Sequence, residues 1–294
     1  MSLKKRVIRF HLSGRLGNQL FELAYMHELA AHYGVLIQPI YDSKHPITDS
    51  ENIICSFTEC RNILSPKKSE IVGNLLNIMD WVSSRNDFVA IMLGKFFRIV
   101  RQSSTHAELV LPRKRPWLVT GFFQDAKWVL KHSDEVFKEL SKEIDRHPIP
   151  VGVLQRISSL GSYQVLHVRR GDFKNYRNGF GLLSQKYYMD NIDVGLPVII
   201  CTDDTIGAQD IISAFPAATV LGPDDLGVWQ TLRLMSGATT LICSNSTLSW
   251  WGGFIGALHG NKVIQPEPFY VGDPSANKFF DYPDFNKSPA YFLK

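Results

Sequence analysis

The sequence predicts an α/β protein of two domains, each organised around a parallel β-sheet. Its 294 residues exceed the usual size of one compact α/β domain and suit two domains of roughly 100 to 150 residues each. In the second half, short apolar runs alternate with helical stretches, which is typical of a doubly wound parallel sheet. The segment HPIPVG, His147 to Gly152, carries two prolines that disfavour helix and strand. We therefore predict an N-terminal domain over residues 1–147 and a C-terminal domain over residues 151–294, with a cleft between them.

The first half begins with a strand, a loop and a helix. We predict a strand over Val7–Leu12, which runs through the loop SGRLGN into a helix from about Gln19 to His32. Gly34 is placed to end that helix, because glycine readily adopts the left-handed conformation found after helix C-termini. A second strand is predicted over Leu36–Ile40, and another helix from Ala126 to about Lys142.

The second half contains the more regular pattern. Its predicted strands are Val165–Val168, Pro197–Cys201, Ala218–Leu221, Thr240–Cys243 and Lys262–Gln265. In doubly wound sheets, ligands bind beyond the carboxyl ends of the strands. The polar sequences HVRRGD, CTDDT and CSNSTLS all fall at or just beyond such ends. These three sequences are therefore the first place to look for a binding site.

Composition excludes several classes of protein. The 45% hydrophobic content argues against intrinsic disorder. Arg9 and His11 interrupt the apolar stretch near the start, so it does not read as a signal peptide, and no run of about 18 apolar residues predicts a membrane span. We therefore expect a cytoplasmic protein. The cysteines are predicted to be buried thiols, without disulfide or zinc spacing; they are Cys55, Cys60, Cys201 and Cys243.

A basic segment lies in the first half. Its cations are Lys67, Lys68, Arg85, Lys95, Arg98, Arg101, Arg113, Lys114 and Arg115. Such a patch attracts phosphate groups or anionic lipid. The stretch Asp87–Gln102 mixes apolar and basic residues as a helix on a membrane surface does, although a domain helix with a solvated basic edge is the reading we favour. Peripheral contact with the inner membrane face stays open, and nucleic-acid binding is not expected, because interleaved aromatic stacking motifs are missing.

The most informative cluster is LHVRRGDF. Alternate residues of a strand share a face, so His167 and Arg169 point one way and Arg170 the other. A guanidinium grips phosphate oxygens through paired hydrogen bonds, and an imidazole on the same face can contact a base or a sugar. The cluster therefore suits a nucleotide diphosphate. The structural alternative is a buried ion pair between Arg170 and Asp172 that ties a loop.

The second cluster is CSNSTLSWWGG, which follows a predicted strand and opens a helix. Free backbone amides at a helix N-terminus, joined by the hydroxyls of Ser246 and Thr247, form an anion site. A plain N-cap is the alternative for these two residues. We expect Trp250 and Trp251 to pack against the sheet rather than to stack on a sugar.

The third cluster is the loop SGRLGNQLF, in which glycine lets the backbone approach a ligand closely. It has neither the GK[ST] ending of a P-loop nor a GxGxxG fingerprint. A DxD triplet, which commonly holds a sugar nucleotide through a metal, is missing, and the adjacent Asp203 and Asp204 would point apart in a strand. Cationic side chains and amides must then neutralise a diphosphate, so we expect no metal site.

With these clusters in place, the chain resembles the α-1,2-fucosyltransferase family, which combines a GxLGNQ-like loop, HxRRxD and a later NSTFSWW-like motif. Here they read SGRLGNQLF, HVRRGDF and NSTLSWWGG, and the lesser stretches GFFQDAKW, LSQKYY, CTDD and LRLMS extend the likeness over most of the chain. The resemblance implies a GT-B-like architecture of two Rossmann-type domains facing across a cleft. It also implies an inverting, cofactor-free transfer of fucose from GDP-β-L-fucose, bound by the C-terminal domain, to the 2-hydroxyl of a galactoside.

The resemblance also assigns roles to residues. It implies that His167 contacts guanine, that Arg169 holds the diphosphate, and that Asn18 approaches fucose or acceptor. We predict Arg169 and Asp172 as catalytic residues, with Asp172 either accepting the acceptor proton or only orienting an arginine. The predicted substrate-binding residues are Gly14, Gly17, Asn18, Gln19, His167, Arg170, Asp204, Asn245, Ser246 and Thr247.

Several points stay open at this stage. Where the family often has an acid that contacts guanine, this chain has Thr231. Either Gln230 or another carboxylate substitutes for that acid, or the recognition of the base is looser than usual. The acceptor, an oligosaccharide or a lipid-linked glycan, would be selected by the irregular region between about residues 43 and 116. The alternatives are transfer to a different hydroxyl, transfer of another GDP-sugar, or a catalytically silent GDP-sugar binder.

Overall fold

A computed structural model describes residues 6–42, 62–96, 98–101, 111 and 113–293. The chain separates into two compact units, Met1–Glu139 and Leu140–Lys294. The division falls inside a helix, Ser133–Arg146, whose C-terminal end coincides with the start of the predicted linker.

The described residues of the first unit form a five-stranded parallel sheet. The strands are β1 (Val7–His11), β2 (Leu36–Tyr41), β3 (Lys67–Lys68), β4 (Ile99–Arg101) and β5 (Leu118–Thr120), in the order β3-β2-β1-β5-β4. Helix α1 (Leu16–Tyr33) follows β1 and ends at Gly34, whose φ of 60° is left-handed, as predicted. The helix begins three residues before the predicted start, because the glycine loop is shorter than its sequence indicates.

The remaining helices of this unit are α2 (Glu70–Ser83), α3 (Asp87–Phe96), α4 (Ala126–Lys131) and α5 (Ser133–Arg146), the last running across the unit boundary. The predicted single helix over 126–142 is therefore wrong. The chain breaks at His132, where φ is −121° and ψ is 29°, outside the helical range. The buried face of α2, formed by Val72, Leu76 and Met79, packs on the sheet.

The second unit contains a six-stranded parallel sheet. Its strands are β6 (Gln164–Val168), β7 (Val198–Thr202), β8 (Thr219–Leu221), β9 (Thr240–Ile242), β10 (Lys262–Glu267) and β11 (Phe285–Pro289), in the order β11-β10-β9-β6-β7-β8. The five predicted strands are confirmed to within two residues. The sequence missed β11, because its residues FNKSP are mostly polar and end in proline, as edge strands allow. The α/β class with two parallel sheets is confirmed.

The helices of the second unit are α6 (Val151–Ile157), α7 (Gln185–Met189), α8 (Gln209–Ile212), α9 (Val228–Ser236) and α10 (Thr247–Leu258). The predicted linker is shorter than expected, since α6 begins directly after Pro150. Trp250 and Trp251 are fully buried, and the Trp250 indole donates to the Phe280 carbonyl at 3.0 Å, which confirms their packing role.

Two of the predicted buried thiols are confirmed. Cys201 and Cys243 are free and buried, and burial raises the pKa of both thiols to about 12. Cys55 and Cys60 lie outside the described residues. Within the described part of the chain, the helices are all too short or too polar to cross a bilayer.

Candidate active site at the carboxyl edge of the second sheet

The order of the second sheet places its polar loops together. The chain starts in the middle at β6, proceeds outward through β7 and β8, and then returns to the other side of β6 with β9. In such sheets, ligands bind at the point where the strand order reverses, outside the carboxyl ends of the strands. Here that point lies between β6 and β9, which are paired in parallel. The loops that follow them carry HVRRGD and CSNSTLS, and CTDDT follows the neighbouring β7.

His167 joins the two strands at this point. It is 3% exposed, and its Nδ1 lies 2.8 Å from the hydroxyl oxygen of Ser244. Burial lowers the pKa of His167 to about 4, with the Asp203 carboxylate opposing that shift and the Arg169 guanidinium adding to it. The imidazole is therefore neutral at pH 7. The sequence did not single out Ser244, because the pairing of β6 with β9 is not visible in it.

The low pKa of His167 predicts a stability that falls in acid. In the unfolded chain, His167 has the usual histidine pKa of 6.5 and is protonated below that pH. In the folded chain it is protonated only below about pH 4. The folded state is therefore at its full stability, as far as His167 is concerned, above the pKa of the unfolded chain. This stability is lost progressively as the pH falls toward the pKa of the folded chain. We expect wild type to lose about 2 kcal/mol more than His167→Gln between about pH 7 and about pH 5 in urea unfolding. Equal losses in the two proteins would contradict a neutral, buried imidazole.

Arg169 is held between two carboxylates. Its guanidinium lies 2.6 Å from Asp172 and 3.0 Å from Asp203, and its carbon sits 5.4 Å from the centre of the Phe173 ring. The Nε–H is buried and has no hydrogen-bond partner among the described residues. A buried donor left unpaired is costly unless a ligand or water satisfies it. The two carboxylates therefore fix the orientation of the Arg169 guanidinium, and its Nε–H could donate a hydrogen bond to a ligand.

Asp203, just beyond the end of β7, helps to position the Arg169 guanidinium. One carboxylate oxygen accepts the backbone N–H of Arg170 at 2.8 Å and that of Gly171 at 3.2 Å, while the other contacts Arg169. An added Cβ at Gly171 would lie 2.3 Å from the Asp203 carboxylate oxygen that contacts Arg169, so a side chain at this position would displace that carboxylate. Asp203 was not among the predicted site residues, although it directly follows β7. Its role depends on β7 lying beside β6, which strand order alone decides.

Arg170 points to the opposite side, as the strand alternation predicts. Its side chain is 1% exposed, donates to the Leu183 carbonyl at 2.8 Å and lies 3.1 Å from the Asp210 carboxylate. The alternative ion pair of Arg170 with Asp172 is wrong in its partner, because Asp172 contacts Arg169 instead. The geometry thus favours a structural role for Arg170 over the predicted contact with substrate.

Asp204 is paired with a cation from the loop that follows β6 and with an amide of its own loop. Its carboxylate pairs with Lys174 and accepts the backbone N–H of Gly207 at 2.7 Å. These contacts, Lys174 first, lower the pKa of Asp204. Asp203 and Asp204 therefore do point to different partners, and a contact of Asp204 with substrate remains a prediction.

The start of α10 lies directly beyond β9. Ser246 is the N-cap residue, and in the described structure its side chain makes no capping hydrogen bond. The alternative in which the Ser246 hydroxyl acts only as an N-cap is therefore not supported. Thr247 opens the helix, whose first amides have no intrahelical acceptor and favour an anion. Asn245 is used differently: its amide donates to the carbonyls of Phe180 and Gly181, at 2.8 and 3.2 Å. It ties the loop that follows β6 to the end of β9.

Thr231, which stands where the family often has an acid that contacts guanine, and Gln230, its possible substitute, lie on α9. The Thr231 hydroxyl donates to the Gly227 carbonyl of its own helix at 2.9 Å. The side-chain oxygen of Gln230 is buried, with no hydrogen-bond donor within reach among the described residues. Of the two, Gln230 therefore has the polar atom that a ligand could satisfy.

The glycine loop of the first unit forms a separate, tightly hydrogen-bonded group. Gly14 has a φ of 73°, and Gln19 donates its amide to the Gly14 carbonyl at 2.8 Å. The Asn18 side-chain oxygen accepts from Gln124 at 2.8 Å. Gly17 is buried in the first turn of α1. Four of the predicted residues thus come together around one loop.

Glu22 supports this loop from inside α1. Both of its carboxylate oxygens lie within hydrogen-bonding distance of the Ser13 backbone N–H, at 3.0 and 3.2 Å. Burial raises the pKa of Glu22 well above its usual range, against the opposing effect of that hydrogen bond. The sequence did not single out Glu22, because a lone acid within an amphipathic helix pattern usually faces solvent.

Gly14 should be intolerant of a side chain. An added Cβ would lie 2.4 Å from the Asn18 amide nitrogen, and the left-handed φ is itself strained for alanine. We expect Gly14→Ala to lose about 1–2 kcal/mol in urea unfolding. Gly152→Ala, in α6 with open space at its Cβ position, is the matched control and should be neutral or slightly stabilising. Equal behaviour of the two variants would rule out a strained loop at Gly14.

The second unit is therefore a doubly wound α/β sheet with an imidazole, an arginine and a helix N-terminus on or after the two strands of its switch point, which is where such sheets bind ligands. The family model described as glycosyl transferase family 11 matches residues 1–273. The chain therefore belongs to glycosyl transferase family 11 and is a glycosyltransferase.

Two relatives come from Escherichia coli. The chain is 22% identical over 310 residues to the O-antigen biosynthesis glycosyltransferase WbnK, covering 92% of this chain and 97% of that protein. It is 24% identical over 168 residues to an alpha-1,2-colitosyltransferase, covering 51% of this chain and 55% of that protein.

Solved structures with a similar fold include two glycosyltransferases. The fucosyltransferase NodZ from Bradyrhizobium matches with a TM-score of 0.47 and 13% identity, over 85% of this chain and 92% of that one. The heptosyltransferase WaaC of E. coli, in a structure with ADP, matches with a TM-score of 0.44 and 9% identity, over 91% of this chain and 90% of that one.

Proposed function

We propose that this glycosyltransferase transfers L-fucose from GDP-β-L-fucose to the 2-hydroxyl of a galactoside, with inversion and without a metal ion. The observation that carries the proposal is the placement of Arg169 and the α10 N-terminus after β6 and β9, at the switch point of the second sheet. The motif resemblance to α-1,2-fucosyltransferases supports fucose as the sugar.

The donor's diphosphate would be held by cationic and amide donors. Arg169 supplies a guanidinium and the start of α10 supplies backbone N–H groups, both of which favour an anion. His167, neutral and buried beside them, can meet an uncharged base without the cost of burying its own charge. The lack of a DxD triplet supports charge neutralisation by these groups rather than by a metal.

The reaction would be a single displacement. The acceptor oxygen forms a bond to the anomeric carbon of fucose while the bond from that carbon to the β-phosphate oxygen breaks, and GDP leaves from the opposite face. The hydroxyl proton passes to a base, and negative charge grows on the departing phosphate. Arg169 and the α10 N-terminus lower the barrier because they bind that charge most strongly when it is fully developed.

Asp172 has two roles open to it. It is the first candidate for the base, because a carboxylate beyond the end of β6 could accept the proton of the acceptor hydroxyl. Its 2.6 Å contact with Arg169 supports the second role, in which it holds the guanidinium in place. An Asp172→Asn variant that keeps transfer activity would assign it to positioning.

The comparisons support the acceptor side of the proposal. One relative is named for an alpha-1,2 linkage and the other for O-antigen biosynthesis. By analogy, an oligosaccharide or a lipid-linked glycan that ends in galactose is the acceptor we propose.

The test is incubation with GDP-fucose and a panel of galactosides, with and without excess chelator, followed by linkage analysis of the product. An α-1,2-linked fucose formed in the presence of chelator is the expected result. Another linkage would contradict the assignment of the 2-hydroxyl as the acceptor position, and transfer only from another GDP-sugar would contradict the assignment of fucose as the sugar. Tight GDP binding with neither transfer nor hydrolysis would identify a silent binder, and loss of transfer on chelation would overturn the metal-free step.

A further inference from the structure

An unusual set of large apolar side chains faces outward on α2. Ile71, Ile78 and Trp81 are spaced seven and three residues apart, so they share one face of the helix. Ile71 is 80% exposed and Trp81 is 59% exposed. The opposite face of α2 is the one that packs on the sheet. Helix α2 therefore has two apolar faces, of which one packs on the sheet and the other is exposed to solvent.

Helix α3 packs beside α2 and continues the same character. Phe88 is 71% exposed and Phe96 is 80% exposed, and Ile91 and Met92 are more than half exposed. Isolated exposed apolar residues are ordinary, but seven large ones on two helices that pack together favour an interaction site. We name Ile71, Ile78, Trp81, Phe88, Ile91, Met92 and Phe96 the α2–α3 surface.

Positive charge accompanies this surface. The Arg85 guanidinium carbon lies 3.9 Å from the centre of the Trp81 ring, and Lys95 and Arg98 are exposed on and just after α3. Residues 67–101 contain six Lys or Arg against three Asp or Glu. The predicted basic segment is thus combined with exposed aromatic residues, whereas the sequence favoured a domain helix with only a solvated basic edge.

Two carboxylates of this segment whose side chains the structure describes are paired with other cations. Glu70 pairs with Lys68 at 3.1 Å, and Asp80 pairs with Arg101. Neither acid has a contact with Arg85, Lys95 or Arg98 among the ion pairs of the described residues. Among the described ion pairs of this segment, the acids are thus paired with Lys68 and Arg101 rather than with the cations closest to the apolar side chains.

We propose that the α2–α3 surface docks on a lipid bilayer that contains anionic lipid. Trp81 and Phe88 would enter the interfacial region, where aromatic rings are favoured, and the apolar face would sit at the headgroup boundary. Arg85, Lys95 and Arg98 would contact lipid phosphates. A second copy of the chain fits less well, since a two-fold contact through this surface would bring the same cations against each other.

The experiment is sedimentation of the full chain with vesicles of phosphatidylcholine alone, or of equal parts phosphatidylcholine and phosphatidylglycerol. Two variants test the surface: Trp81→Ser with Phe88→Ser for the apolar contribution, and Arg85→Gln with Lys95→Gln for the charge. The matched controls are Val194→Ser with Ile206→Ser, both exposed in the second unit, and Lys138→Gln. Thermal melting and size-exclusion chromatography establish that each variant is folded and report its oligomeric state.

Wild type and both controls should bind the anionic vesicles, less tightly as salt is raised. The charge variant should weaken binding about fivefold for each cation removed. The apolar variant should weaken it by on the order of tenfold. Binding that is unchanged in both variants, or no binding by wild type, would overturn the proposal. A wild-type dimer that the apolar variant converts to a monomer, without vesicle binding, would assign the surface to a second copy instead. The result is independent of the transfer reaction, because it requires neither donor nor acceptor.

Discussion

Replacing Arg169 with alanine should lower turnover by on the order of 10² to 10³. The guanidinium is fixed by Asp172 and Asp203 before any ligand binds, so it needs little reorganisation as charge develops on the leaving phosphate. Such a prearranged donor acts mainly on the transition state, and its removal should therefore reduce kcat more than it raises KM. Steady-state kinetics with GDP-fucose, at fixed acceptor, measure both.

Two further variants sharpen this result. Arg169→Lys keeps the charge but loses the planar fork, and it should recover only part of the activity. Asp203→Asn keeps the side-chain volume but weakens the support of Arg169, and it should fall between wild type and Arg169→Ala. Near-normal turnover in Arg169→Ala would remove this residue from the reaction and with it the proposed donor site.

Replacing the adjacent Arg170 with alanine should instead cost stability, about 3 kcal/mol in urea unfolding. Its side chain fills a buried space, donates to the Leu183 carbonyl and pairs with Asp210. Truncation leaves a cavity and removes a donor from a buried carbonyl, and both effects destabilise. The turnover of the folded fraction should stay within about tenfold of wild type, because a structural side chain does not act selectively on the transition state.

Arg170→Met is the matched control. It restores most of the volume without the charge, and Nε and one terminal nitrogen of Arg170 already lack partners among the described residues. Methionine refills the cavity but, like alanine, leaves the Leu183 carbonyl without its donor, so this variant should regain only the part of the lost stability that comes from the cavity. If Arg170→Ala is as stable as wild type but loses turnover as Arg169→Ala does, the substrate-binding role predicted for Arg170 is correct.

The sequence predicted the second sheet well because that sheet is buried on both faces. Its strands are short, nearly continuous apolar runs bounded by polar loops, so their positions show in the order of residues. The same reasoning gave the end of α1 at Gly34, where a local backbone requirement selects the residue. It failed at His132, where two adjoining helices share one amphipathic pattern, and at β11, whose polar residues resemble a loop.

The opposite directions of Arg169 and Arg170 were also predictable, since strand alternation is a local property. Their partners were not. Asp172, three residues from Arg169, was assigned to Arg170, and Asp203 and Asp210, more than thirty residues away in the chain, were not assigned to either. A guanidinium accepts any carboxylate within reach, so the nearest one in the sequence is a poor guide to its partner.

Residue types and local periodicity were therefore sufficient to predict the fold class, the strand positions of the second sheet and the three polar clusters. The tertiary structure alone decided that β6 lies between β7 and β9, which brings Ser244 to His167 and Asp203 to Arg169. It also decided that apolar side chains of α2 and α3 remain outside the core. The physical reason is the same in both cases: strand order and helix docking are settled by the total burial of many distant segments, and no single segment encodes that sum.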